Sequence, residues 1–153
     1  MGLEQNEMTN KLATVLLVED DETHAILIMR SFEGMGVEKI QWVSDGEQAM
    51  DYLKHRGIYA DKEKSPHPDV ILLDLRLPKL SGHEVLKQIK SIEELRAIPV
   101  VVLTTSKNEY DIAKAYLNHA NSYLVKPLGL DKFQEMVKEI EVYWLEWNQT
   151  HSS

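Results

Sequence analysis

Apolar residues run along this chain in two alternating rhythms. The first is the short unbroken run: Thr14-Val15-Leu16-Leu17-Val18, then Val70-Ile71-Leu72-Leu73 and Val100-Val101-Val102-Leu103. A continuous aliphatic run of this length predicts a strand buried on both faces, as in a parallel sheet. The second rhythm is recurrence at steps of three and four, which predicts helices with one buried face. Ala25, Ile28, Met29 and Phe32 mark the first such face, and Gly34 and Gly36 end it. A second short strand is predicted at residues 39–43, an Asp45-Gly46 turn, and a second helix through Ala49, Met50 and Leu53. Residues 56–69 read as a polar connection, too hydrophilic for core. The third strand then runs straight into Asp74, and Pro78 and Gly82 bracket a loop. A third helix follows over 83–91, with Val85, Leu86 and Ile89 inward. Pro99 precedes the fourth strand, which ends in Thr104-Thr105-Ser106. Ala113, Tyr116 and Leu117 indicate a fourth helix, Tyr123-Leu124-Val125 a fifth strand, and 130–147 a long last helix. Strict alternation of strand and helix implies a doubly wound α/β fold, with a parallel sheet covered by helices on both faces.

Composition narrows the class. With 43% hydrophobic and 27% charged residues, the 153-residue chain is balanced for one globular unit. We expect a flexible arm over 1–11, one domain over 12–149 with no output domain, and a tail over 150–153. The chain has no cysteine, which excludes disulfides, thiolate metal sites and cysteine nucleophiles. The apolar runs are too short to span a bilayer, and the N-terminus lacks the basic start and apolar stretch of a signal peptide. A cytoplasmic location is the expectation. A net charge of −8 argues against nucleic acid as a direct partner.

Candidate chemistry lies where the strands stop. The first strand ends in Glu19-Asp20, the third in Asp74, the fourth in Thr104, and Lys126 follows the fifth. Ligands of open α/β sheets bind outside the carboxyl ends of the strands, so these segments should share one crevice. Clustered carboxylates must share protons or recruit a cation. Oxygen-only ligands select a hard ion, and Mg²⁺ suits one or two carboxylates with room left for a phosphate. Asp74 could then act as the nucleophile of an acyl phosphate, with Lys126 and the metal offsetting phosphoryl charge and Thr104 donating to a phosphoryl oxygen. At this level the acidic pair can be Glu19 with Asp20 or Asp20 with Asp21. Asp21 also suits the N-terminus of the first helix.

Four segments carry a resemblance: Val18-Glu19-Asp20; Leu72-Leu73-Asp74-Leu75-Arg76-Leu77-Pro78 with Gly82; Leu103-Thr104-Thr105; and Tyr123-Leu124-Val125-Lys126-Pro127. In this order and spacing, over residues 12–147, they resemble the signature set of two-component response-regulator receiver domains. The resemblance implies a flavodoxin-like (βα)5 fold with parallel strand order 2-1-3-4-5. It implies that Asp74 is the phospho-acceptor and that Glu19 and Asp20 form the acidic pair. Asp20 would bind Mg²⁺ directly and Glu19 through water, with the Arg76 main-chain carbonyl completing the protein ligands. It further implies Thr104 as switch hydroxyl, Lys126 as partner of the phosphoryl group, Tyr123 as switch aromatic, and a cis bond before Pro127. A finer likeness lies in the long 56–69 connection, Val102-Leu103-Thr104-Thr105-Ser106, Ala120-Asn121-Ser122-Tyr123-Leu124 and Tyr143-Trp144-Leu145. These are similar to stand-alone receivers paired with phytochrome histidine kinases, and imply a sensor histidine kinase as phosphoryl donor.

The remaining residues have simpler readings. Thr105 and Ser106 suit the cap of the following loop or a place beside the site. His24, His55, His67, His83, His119 and His151 show no metal spacing and read as solvated or packing residues. The Arg76 side chain is expected at the mouth of the site, and Trp42 as edge packing. Tyr143, Trp144 and Trp147 give the last helix an aromatic face that suits either core packing or a homodimer across 110–149, through the fourth helix, fifth strand and fifth helix. An aspartate-nucleophile phosphatase or phosphotransferase of small substrates is the rival function. Such an enzyme needs a second acid two residues after the nucleophile, and that position is Arg76. A nucleotide or flavin carrier needs a Gly-rich loop where this chain has Glu19-Asp20-Asp21-Glu22. The expectation is a signalling phospho-acceptor that takes part in its own phosphorylation and dephosphorylation.

Overall fold

A computed structural model describes residues 13–33 and 37–151, with side chains described as far as Tyr143. The expected arm at 1–11, the glycines at 34 and 36, and the side chains of Trp144 and Trp147 lie outside the described residues. Strand β1 (Ala13–Val18) leads into helix α1 (Glu22–Phe32), then β2 (Val37–Val43) and α2 (Gly46–Leu53). A short 3₁₀ turn at Gly57–Tyr59 precedes β3 (Val70–Leu73), α3 (Gly82–Ser91) and β4 (Val100–Thr104). The chain closes with α4 (Glu109–Leu117), β5 (Ser122–Val125) and α5 (Leu130–His151), which runs past the expected end at 147. All pairings are parallel and the order is β2-β1-β3-β4-β5, as the resemblance implied.

Alternation along the strands builds two cores. Leu16, Val18, Ile71 and Leu73 face one way, onto Met50 and Leu53 of α2, Leu86 and Ile89 of α3, and Ala115 of α4. Val15, Leu17, Val70 and Leu72 face the other way, onto Ala25, Ile28 and Phe32 of α1 and Phe133, Val137 and Ile140 of α5. A strand buried on both sides has no polar face, which is why the three central runs are continuously aliphatic. Each fully buried Leu, Ile or Val contributes about 1.5–3 kcal/mol, so this layering dominates the stability.

Local signals start the helices. Asp21 accepts from His24 N, Asp45 from Gln48 N, Ser81 from Glu84 N and Asn108 from Tyr110 N. Each satisfies an amide that the first helical turn leaves open. Asp45-Gly46, read from the sequence as a turn, is thus the start of α2. The polar connection 56–69 is pinned where it matters. The Tyr52 hydroxyl donates to Pro66 O at 2.8 Å, and the His55 and His67 rings stack at 4.8 Å, each Nε2 on a carbonyl oxygen. These two histidines pack, as expected.

The loop after β3 is held against two helix starts by glycines. A Cβ at Gly82 would lie 2.2 Å from Asp74 O, and one at Gly46 would lie 2.0 Å from Leu80 O. Only a residue without a side chain lets α3 and α2 approach the segment that carries Asp74.

One implied feature is corrected. The bond before Pro127 is trans, and no cis peptide bond occurs among the described residues. Trans is the lower-energy isomer, and Lys126 is aimed by other bonds. Its N–H donates to Thr104 O at 2.8 Å, and its ammonium reaches Asp74.

Candidate functional site

The parallel register brings the strand ends together. Val18 pairs with Leu73, and the Asp74 N–H donates to Val18 O at 3.0 Å, so Asp74 leaves β3 beside the first acidic residues. Glu19 is fixed on the other side. Its N–H donates to Val43 O at 3.0 Å, and its carbonyl accepts from Trp42 Nε1 at 2.7 Å. Trp42 therefore anchors the turn after β1, in addition to the packing expected of it. Glu19, Asp20 and Asp74 present carboxylate oxygens that all lie within 4.8 Å of one another. Glu19 and Asp74 are buried, and Asp20 is exposed.

Lys126 closes the cluster from β5. Its buried ammonium contacts Glu19 Oε1, Asp74 Oδ2 at 2.9 Å and His24 Nδ1 at 3.1 Å. The two buried acids respond in opposite directions. Burial, then the Asp74 charge, raise Glu19 to about 7 against the pull of Lys126. Burial also works to raise Asp74, but the Lys126 charge and hydrogen bond and the Arg76 N–H outweigh it and hold Asp74 below its ordinary value. Near neutral pH Asp74 is ionised, while Glu19 stands ready to share a proton. Asp21 is the cap of α1, which leaves Glu19 with Asp20 as the acidic pair beside Asp74.

Thr104 is fully buried at the end of β4, and its Oγ1 accepts from Ser106 N at 3.4 Å. The Tyr123 hydroxyl donates to Ser106 O at 2.9 Å, tying the aromatic expected to switch to the segment that follows Thr104. Arg76 has an exposed side chain, as expected, and its N–H donates to Asp74 Oδ1 at 3.1 Å. Asn108 caps α4, and Ser106 Oγ accepts from the Asn108 N–H at 3.3 Å, which caps the loop after β4.

A second polar group was invisible in the sequence. Asp111, in the first turn of α4, accepts from Ser106 Oγ at 2.6 Å, contacts His83 Nε2 at 3.0 Å, and lies 3.8 Å from Arg76 Nη2. The Ser106 and His83 hydrogen bonds, in that order, hold its carboxyl below the usual range. It joins α3, α4 and the two loops flanking the acidic cluster. A cleft of about 600 Å³ lined by Asp20, Arg76, Pro78, Ser81, His83 and Asp111 opens beside it. His24 was likewise read as solvated or packing, and it reaches Lys126. The partners lie 28 and 102 positions apart in the chain, so no spacing rule could have joined them.

The donor set suits a hard divalent cation: oxygens only, mutually close, with exposed Asp20 leaving one side open to water or phosphate.

The fold and this cluster define a receiver. The chain belongs to the response-regulator receiver family: the family description "Response regulator receiver domain" matches residues 15–138. It is 54% identical over 138 residues to the probable methanogenesis regulatory protein FilR2 of Methanothrix harundinacea, covering 89% of this chain and 86% of that one. The Mn²⁺-bound form of the response regulator Rcp1, known from Synechocystis, superposes with a TM-score of 0.81 at 43% identity, over 88% of this chain and 95% of Rcp1. The phosphorylated cyanobacterial phytochrome response regulator RcpA gives 0.83 at 43% identity, over 88% and 94%.

Proposed function

We propose that the protein is a response regulator of the cytoplasm that accepts a phosphoryl group on Asp74 from a sensor histidine kinase. The observation that carries this reading is an ionised aspartate at a strand end, bonded to a buried ammonium and flanked by two further carboxylates. Asp74 attacks phosphorus and forms a P–O bond as the donor's P–N bond breaks, its electron pair returning to the imidazole. Mg²⁺ bound by Glu19, Asp20, Asp74 and the Arg76 carbonyl would offset the charge on the transferring oxygens. Lys126 gives up Asp74 Oδ2 and takes a phosphoryl oxygen. The Thr104 hydroxyl donates to another, which draws on the Ser106 amide it now accepts from. Ser106 also carries the contacts to Tyr123 and Asp111. Movement of 104–106 therefore reaches β5 and α4 and re-shapes the α4–β5–α5 face, a local charge change biasing a two-state element.

That face is the proposed homodimer surface. Tyr110, Tyr116 and Leu117 of α4 and Val142 and Tyr143 of α5 are exposed. Aromatic and aliphatic residues of this kind form the buried centres of interfaces. RcpA, a phytochrome response regulator, makes a phytochrome-type kinase the first donor to test. The net charge of −8 supports protein rather than nucleic-acid partners.

A small phosphodonor with Mg²⁺ should add one phosphoryl group, read by intact-protein mass, and Asp74→Asn should take none. Equal modification of the variant would refute the assignment.

A further inference from the structure

An ammonium has three hydrogens to donate, and burial leaves Lys126 no water to receive them. Its side chain is 2% exposed, and three acceptors surround it: Glu19 Oε1, Asp74 Oδ2 and His24 Nδ1. Two of the three are carboxylates that also belong to the cation cluster. His24 is the third and lies outside that cluster. An ammonium can only donate, so at 3.1 Å from Lys126 Nζ the His24 Nδ1 is placed to accept.

The residue is held at two points, its backbone amide and one face of its ring. His24 sits in the first turn of α1, and its own N–H donates to the Asp21 cap at 3.1 Å. Its Nδ1 is 3.7 Å from Asp21 Oδ2, beyond hydrogen-bond distance, and is left to Lys126. One face stacks on buried Phe133 of α5, with ring centroids 5.4 Å apart at 26°. Both helices pack on the same side of the sheet. The acceptor is therefore mounted on rigid elements, as an orienting group must be.

We propose that His24 is a positioning residue for phosphoryl transfer: its Nδ1 holds the Lys126 ammonium over Asp74 while the carboxylates are engaged elsewhere. Glu19 and Asp74 cannot serve a cation and orient the lysine with undivided strength. His24 keeps one ammonium hydrogen anchored throughout, leaving another free to turn to a phosphoryl oxygen. The inference rests on the phospho-acceptor reading of Asp74, and its test separates the two.

Two variants carry the test, each checked for cooperative thermal unfolding. His24→Ala removes the acceptor. His24→Asn removes the ring and its stack on Phe133 but places an amide oxygen where Nδ1 stood. In metal-free protein, labelling by limiting acetic anhydride, read by peptide mass, should rise severalfold at Lys126 in His24→Ala relative to the other lysines. It should stay near wild type in His24→Asn. With saturating Mg²⁺, the rate of phosphorylation by acetyl phosphate should fall severalfold in His24→Ala at unchanged Mg²⁺ affinity, and recover in His24→Asn. Unchanged labelling and rate in His24→Ala would overturn the proposal, as would a His24→Asn variant impaired as much as His24→Ala. A wild type that takes no phosphoryl group while labelling still follows position 24 would overturn the phospho-acceptor reading and the transfer role with it, and would uphold the lysine anchor.

Discussion

Raising the pH of the metal-free protein should weaken it, and Mg²⁺ should reverse the part of the loss that belongs to the site. Burial and the nearby Asp74 charge raise Glu19 from 4.5 to about 7. A carboxylate whose folded pKa is raised binds more protons in the native than in the unfolded state across that interval. Its contribution is present below pH 4.5 and is lost as the pH climbs through about 7. At about 1.4 kcal/mol per pH unit, the interval amounts to about 3 kcal/mol. Glu141 on α5 adds a second loss in the same window. It is 1% exposed, neither carboxylate oxygen has a hydrogen-bond partner among the described residues, and burial raises it to about 7 despite Lys138. Asp74 does not contribute there. Burial works to raise it, Lys126 prevails and lowers it, so its stabilisation is complete above pH 3.8 and fades only below. Of the three, only Glu19 and Asp74 face the cation cluster. Mg²⁺ at a hundredfold excess over its Kd adds about 2.7 kcal/mol to the native state, and proton competition removes that gain at low pH. The assay is urea unfolding at about pH 4.5 and about pH 8, with and without Mg²⁺. Wild type, Glu19→Gln and Glu141→Gln are compared. Glu19→Gln should shed the Mg²⁺-reversible part of the slope, and Glu141→Gln the other part. A Glu19→Gln protein with the wild-type slope, or a Mg²⁺ gain as large at low pH as at high, would refute the reasoning.

Two substitutions test the supports of the site. Gly82→Ala forces a Cβ to within 2.2 Å of Asp74 O, so either α3 or the Asp74 segment must shift. The expected cost is about 1–3 kcal/mol in urea unfolding, with slower phosphorylation, and a fully stable variant of unchanged rate would refute the close approach. Asp111→Ala strands the Ser106 hydroxyl and His83 Nε2. It should cost about 1–3 kcal/mol and speed amide exchange over residues 106–110, and exchange at the wild-type rate would show that Asp111 does not hold the loop.

Strand positions, helix faces and the residues at each strand end were legible because short-range periods encode them. An aliphatic residue at every position of 70–73, in a run too short for a helix, predicts a strand buried on both sides, and a carboxylate straight after it then emerges at the sheet edge. Those facts sufficed to bring Asp20, Asp74 and Lys126 to one place, with Glu19 or Asp21 as the further acid, and the resemblance implied Glu19. They could not show which way each side chain turns once there. The cap role of Asp21 followed from the helix it begins, but from residue spacing alone Asp21 and Glu19 were equal candidates for the second acid, and only the backbone path shows Glu19 in the cluster. The trans bond before Pro127 has no signal in the sequence, since an X–Pro bond can take either isomer. His24 on Lys126, and Asp111 binding Ser106, His83 and Arg76, depend on how α1 lies on α5 and α4 beside α3. Helix placement is set by the packing of two whole cores, a sum over many distant side chains. No local pattern carries that sum, so only the folded molecule could show where those polar atoms would meet.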